Sequence, residues 1–132
     1  MPKITLFNVT SVIQALYALI GLVIVIVYPF EEVNQTIVAL VLYCGMPMVG
    51  AYGAWKQRSL YLALALFFFI FQSVRSANAE GVLLNIAPIS ISVPFGDFAN
   101  GQGMYIDFFA IGLALLLVIL MRKLAYKQLK KR

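Results

Sequence analysis

Four long runs of apolar residues, separated by short polar stretches, dominate the pattern of this chain. They cover about Thr10–Phe30, Thr36–Trp55, Leu60–Asn78 and Met104–Met121. A helix that crosses a hydrocarbon layer of about 30 Å needs roughly 20 such residues. The pattern therefore predicts an all-α integral membrane protein, a four-transmembrane-helix bundle. Ile4–Val9 is a possible extension of the first helix along the inner surface. The first run is too long for the apolar core of a cleavable leader and lacks a small-residue cleavage site, so it reads as a retained span.

The polar stretches set the topology. Glu31, Glu32, Asn34 and Gln35 fill the first turn, and Lys56, Gln57, Arg58 and Ser59 fill the second. The third connection, Ala79–Gly103, is long, and the chain ends in a basic tail, residues 122–132. Four spans put Lys3, Lys56, Arg58, Arg122, Lys123, Lys127, Lys130, Lys131 and Arg132 on one side. Glu31, Glu32, Glu80, Asp97 and Asp107 fall on the other side or at its boundary. Three or five spans would mix these charges. The side rich in Lys and Arg faces the cytoplasm, so both termini are expected there, with a bacterial inner membrane as the expected location. Trp55, Tyr52, Tyr61 and Tyr126 fall at the inner interface, and Tyr28, Phe30, Phe98 and Tyr105 at the outer one, as amphipathic rings prefer.

Composition agrees. Of the 132 residues, 63% are hydrophobic and 11% charged, against about 25% charged in soluble domains. One membrane domain is expected. The net charge of +5 sits at helix ends and does not form a nucleic-acid surface. The chain has no histidine and a single cysteine, Cys44, so an internal disulfide is impossible and the commonest metal ligand is missing. No cofactor or metal site is expected.

Inside lipid, helices associate through small and polar residues. Gln14 and Gly21 on the first helix, Gly50 and Gly53 on the second, and Ala110 and Ala114 on the fourth are the expected packing positions. Pro47 is expected to kink the second helix, as a static bend or a hinge.

Two places could carry chemistry. Arg75 and Asp107 each fall about one helical turn inside the outer end of the third and fourth spans. An ionisable residue there needs a partner or a wet cavity, so an ion pair joined by Gln72 is expected. The second place is the long connection. Ala87–Pro94 alternates apolar and small polar residues, as a strand does, and the glycine-rich segment after it reads as turns. A short strand or hairpin outside the membrane is expected, with Phe95, Asp97, Phe98 and Asn100 as a recognition loop. The tail residues Arg122, Lys123, Lys127, Lys130, Lys131 and Arg132 are expected to anchor the chain to anionic lipid.

No nucleophile-and-base pair, metal cluster or phosphate-binding loop occurs, so catalysis is not expected. The expected role is a small polytopic membrane protein acting by protein–protein interaction. It would be an accessory subunit or a protective or regulatory factor of a membrane assembly. Its partners would be the bilayer and another membrane protein or further copies of itself. The alternative is a small oligomeric transporter or ion channel with a polar path near Gln14, Gln72, Arg75 and Asp107.

Overall fold

The computed structural model describes residues 4–28, 30–76, 88–97, 99–100 and 102–132. Its helices are α1 (Leu6–Val27), α2 (Val33–Lys56), α3 (Ser59–Gln72) and α4 (Phe108–Lys130). Three strands, β1 (Val74–Ser76), β2 (Ser92–Asp97) and β3 (Gln102–Asp107), lie between α3 and α4 in sequence. The chain is mostly helical, and α1, α2 and α4 are each long and apolar enough to cross a membrane. With the shorter apolar α3, the described residues hold four helices.

Local chemistry sets the helix boundaries. The Thr5 hydroxyl accepts from the Asn8 N–H at 3.3 Å and starts α1. Leu6–Val9 is thus the first turn of α1 itself, not a separate surface segment. Asp107 caps α4 in the same way. α2 ends on Gln57, which adopts the left-handed conformation (φ 54°), and the Arg58 N–H returns to the Gly53 carbonyl at 2.8 Å.

Midway along α2 the helix widens into a π-turn at Val41–Gly45, where the Met46 N–H reaches back to the Val41 carbonyl. Pro47 follows at once. It has no N–H to offer the Tyr43 carbonyl, and its ring crowds that group, so the backbone opens there. Gly21 of α1 packs directly against the same carbonyl. A Cβ at position 21 would collide with it, which is why a glycine is needed there.

α1 and α2 run antiparallel in close contact. The Ser11 hydroxyl donates to the Ala51 carbonyl at 2.8 Å, and Gln14 lies over Gly50, with Ala65 of α3 beyond. Gly53 meets Tyr61 and Leu62. Tyr17, Tyr43, Phe68, Phe69 and Phe109 form an aromatic core; Tyr17 meets Phe69 edge-on at 5.3 Å and stacks on Phe109 at 6.1 Å. Outward faces are apolar as well: Leu19, Val23, Ile26, Phe67, Phe71 and Leu115 are all exposed.

The strands revise two expected helix boundaries. α3 stops at Gln72 rather than near Asn78, and α4 starts at Phe108 rather than Met104. At 1.5 Å per residue, the 14 residues of α3 rise about 21 Å, well short of α1 or α2. The part of α4 before Arg122 rises about as far. At about 3.3 Å per residue the strands supply the missing height. Beyond Met121 the basic tail continues α4 as helix to Lys130, so it is not a separate segment.

The sheet is antiparallel, in the order β1-β3-β2. Its register pairs Val74 with Ile106, Arg75 with Tyr105, Val93 with Ile106, and Ser92 with Asp107. The expected strand over Ala87–Pro94 is displaced: β2 begins at Ser92, Pro88–Ile91 is irregular, and Ala87 lies outside the described residues. The irregular piece descends into the bundle, where Ile89 packs on the core and Pro88 reaches Gly21.

Candidate functional site

The junction between helices and sheet gathers the buried polar groups. Side chains alternate across a strand, so the register puts Val74, Val93, Phe95, Met104 and Ile106 on one face of the sheet. Arg75, Ser92, Pro94, Tyr105 and Asp107 fall on the other. Near the bundle the first face is apolar and its outer residues are exposed, Val74 48%, Val93 48% and Phe95 41%; at the hairpin end it carries Asp97 and Gln102. The second carries the Arg75–Asp107 pair, and there Asp107 is fully buried.

Asp107 is the hub. Its Oδ1 accepts from the N–H groups of Phe109 at 3.0 Å, Ala110 at 3.2 Å and Ile91 at 3.4 Å. Its backbone N–H donates to the Ser73 carbonyl at 2.8 Å. The carboxylate thus ties the start of α4 to the entry to β2, and the backbone N–H adds the end of α3. The positive end of the α4 dipole favours the negative charge. Oδ2 faces Arg75 Nη2 at 3.7 Å, and both side chains are shielded from solvent. The same Nη2 donates to Ser90 Oγ at 3.1 Å and to Ser92 Oγ.

Around this pair the bundle holds more polar groups. Gln72 is buried at the end of α3, with its amide in hydrogen-bonding reach of the Tyr43 hydroxyl. Tyr17 is buried one turn above Gln14 on α1. Among the described residues, Gln14 Oε1 and Nε2, the Tyr17 hydroxyl and Gln72 Oε1 have no hydrogen-bond partner in the protein.

The chain matches no protein-family model, no curated protein and no solved structure.

The structure brings Arg75, Asp107 and Gln72 to one junction, but not as sketched from sequence. Arg75 lies on β1 rather than inside the third helix, and Asp107 is the cap of α4 rather than a residue within it. A helix that ends at Gln72 leaves no helical face for Gln72 and Arg75 to share. Ser90 and Ser92 went unnoticed as partners of Arg75. Their spacing of two on an extended segment was the available signal, because it sends both hydroxyls to one side.

The other expected positions are spread through the molecule. Gly21, Gly50 and Gly53 lie at helix contacts; Ala110 is buried and Ala114 half-buried against the core. In the β2–β3 turn, Asp97 accepts from the Ala99 N–H at 3.1 Å and from the Asn100 amide at 2.6 Å. Asp97 and Asn100 thus satisfy each other, while Phe95 stands exposed on the apolar face. Phe98 lies outside the described residues. No group of three or more His, Cys, Asp or Glu side chains that could hold a metal occurs among the described residues.

A second polar region lies at the opposite end. A cleft of about 740 Å³ opens between the α2–α3 turn and the last turns of α4. Lys56, Arg58, Lys127 and Lys131 line it together with Gln57 and Gln128. Lys127 donates to Gln57 Oε1 at 3.2 Å and joins the two walls.

Proposed function

We propose that this chain inserts its four apolar helices into a bilayer, with both termini in the cytoplasm. There it acts as a non-enzymatic component that binds another membrane protein through its outer sheet. The observation that carries the reading is the sheet's two-faced construction at the top of the bundle. The polar face is consumed internally by the Arg75–Asp107 junction. The apolar face and the β2 edge have no covering element among the described residues.

Depth gives this its force. α3 rises about 21 Å from the basic end, so in a hydrocarbon layer of about 30 Å the lower half of the sheet stands at membrane depth. An open sheet edge cannot face lipid, because its N–H and C=O groups would go unsatisfied. A partner that lies along β2, with Val93 and Phe95 at its centre, would satisfy both the edge and the apolar face. Such pairing would make the chain an accessory subunit or a protective or regulatory factor of a membrane assembly.

The orphaned amide of Gln14, the Tyr17 hydroxyl and Gln72 Oε1 favour a second reading, a transporter or channel assembled from several copies. These groups form a polar line through the bundle toward Arg75 and Asp107.

One preparation separates the two. Purified in mild detergent, the chain should bring down a stoichiometric partner, and Phe95→Asp should remove that partner while the chain stays folded. Recovery of the chain alone as a defined oligomer would refute the binding role. Ion flux in liposomes that is lost in Arg75→Ala would then establish the second reading.

A further inference from the structure

We infer that the cleft between the α2–α3 turn and the end of α4 binds the phosphate headgroup of an anionic phospholipid from the cytoplasmic leaflet. This rests on the membrane orientation proposed above. Lys56 and Arg58 come from the turn, and Lys127 and Lys131 from one face of the last helical turns, spaced by four. No acidic residue is among the residues that line the cleft. Four cations that converge on one cavity repel each other unless an anion sits among them.

The cavity is shaped for more than a diffuse ion atmosphere. Its volume of about 740 Å³ lies within the ~300–1,000 Å³ of ordinary ligand sites. The hydrogen bond from Lys127 to Gln57 holds its two walls together across 70 residues of sequence. Gln57 sits in the left-handed conformation that favours glycine. A glutamine there supplies a side chain that a glycine could not, and that side chain is the one that fixes Lys127.

A lipid fits this cleft better than a soluble phosphate because of its surroundings. Leu60, Tyr61 and Leu124 form an apolar part of the lining. Trp55, beside it, is exposed, with the Lys56 ammonium 4.6 Å above its ring. That combination places the cleft at the headgroup boundary, where basic pockets between helices take anionic headgroups. The acyl chains would leave along the outer surface of α3, where Leu64 and Phe67 are exposed.

Trp55 is the sole tryptophan and is the chain neighbour of Lys56 in the lining, so its quenching reports on lipid held beside the cleft. The full chain is reconstituted in phosphatidylcholine vesicles that contain a small fraction of brominated phosphatidylglycerol or, in a parallel sample, brominated phosphatidylcholine. The first lipid should quench Trp55 more strongly at equal mole fraction. Each cation near the surface is worth about a fivefold change in lipid affinity. Lys127→Gln with Lys131→Gln should weaken quenching by brominated phosphatidylglycerol by more than about 25-fold, because it loses the cleft contacts besides the diffuse surface attraction. Arg122→Gln with Lys123→Gln removes the same charge outside the cleft and should lose that diffuse attraction alone, about 25-fold at most.

Equal quenching by the two lipids, or equal loss in the two double variants, would overturn the site. Relief of quenching by inorganic phosphate would overturn the lipid as its occupant. Loss of the chain from vesicles on an alkaline wash would instead overturn the membrane insertion beneath the proposal. Retention of both double variants in the vesicles keeps those outcomes separate.

Discussion

At the scale of single residues, Asp107 does the most. One carboxylate oxygen serves three backbone N–H groups and the other faces a buried guanidinium. Asp107→Ala removes a helix cap, worth about 0.5–2 kcal/mol, and leaves the Arg75 charge without its counter-ion, worth about 3–5 kcal/mol when buried. The contributions overlap, and a loss of about 3–5 kcal/mol in a reversible unfolding titration is expected. Asp107→Asn keeps an oxygen for the cap and should cost less. Equal losses in the two variants would show that the charge is irrelevant. The sequence revealed that Arg75 and Asp107 both stand in apolar surroundings. It does not reveal the geometry, because short apolar runs fit helix and strand alike. Ser90 and Ser92 were hidden for the same reason, since they matter only once Val74–Ser76 is extended.

At the scale of elements, α2 shows two effects that nearly balance. Pro47 is fully buried, so Pro47→Ala removes about two methylenes of packing, roughly 1.6 kcal/mol. It also restores an N–H that can reach the Tyr43 carbonyl, worth about 0.5–1.5 kcal/mol. Thermal unfolding of Pro47→Ala should differ from the parent by less than about 1 kcal/mol. A loss above about 3 kcal/mol would mean that the bend itself holds Tyr43 against Gly21. Proline announced a break in the sequence, but nothing local specified that the break would be a π-turn. The glycine at position 21 of α1 is what leaves room for the opened Tyr43 carbonyl. The same limit explains the strands. Val74–Ser76 and Met104–Asp107 are short, and short apolar runs fit helix and strand alike. Extending the neighbouring spans to a full membrane length absorbed both segments. The strand of the long connection was visible as alternation, although its pairing partners, and so its true start at Ser92, were not.

At the scale of the whole molecule, the apolar runs carry the number and order of the helices, since in lipid each would have to satisfy its own backbone. Charge adds direction. The basic groups collect at one end, on the α2–α3 turn and the last turns of α4, while Glu31, Glu32 and Asp97 lie toward the other. The two ends offer different surfaces, an apolar sheet and a cationic cleft. A partner at one and a lipid at the other would hold the chain in a fixed orientation. What lay beyond the sequence was the replacement of the outer turns of α3 and α4 by a sheet, which creates the exposed face that the proposed binding role requires.

The account stands on the orientation of the chain across a bilayer, and cysteine accessibility tests it most directly. With Cys44→Ser as the background, Glu32→Cys, Gln57→Cys, Asn100→Cys and Gln128→Cys are probed one at a time in intact cells with a membrane-impermeant maleimide. Labelling of Glu32→Cys and Asn100→Cys in intact cells is expected, with Gln57→Cys and Gln128→Cys labelled only after the membrane is opened. Labelling of Glu32→Cys and Gln57→Cys from the same side would contradict it.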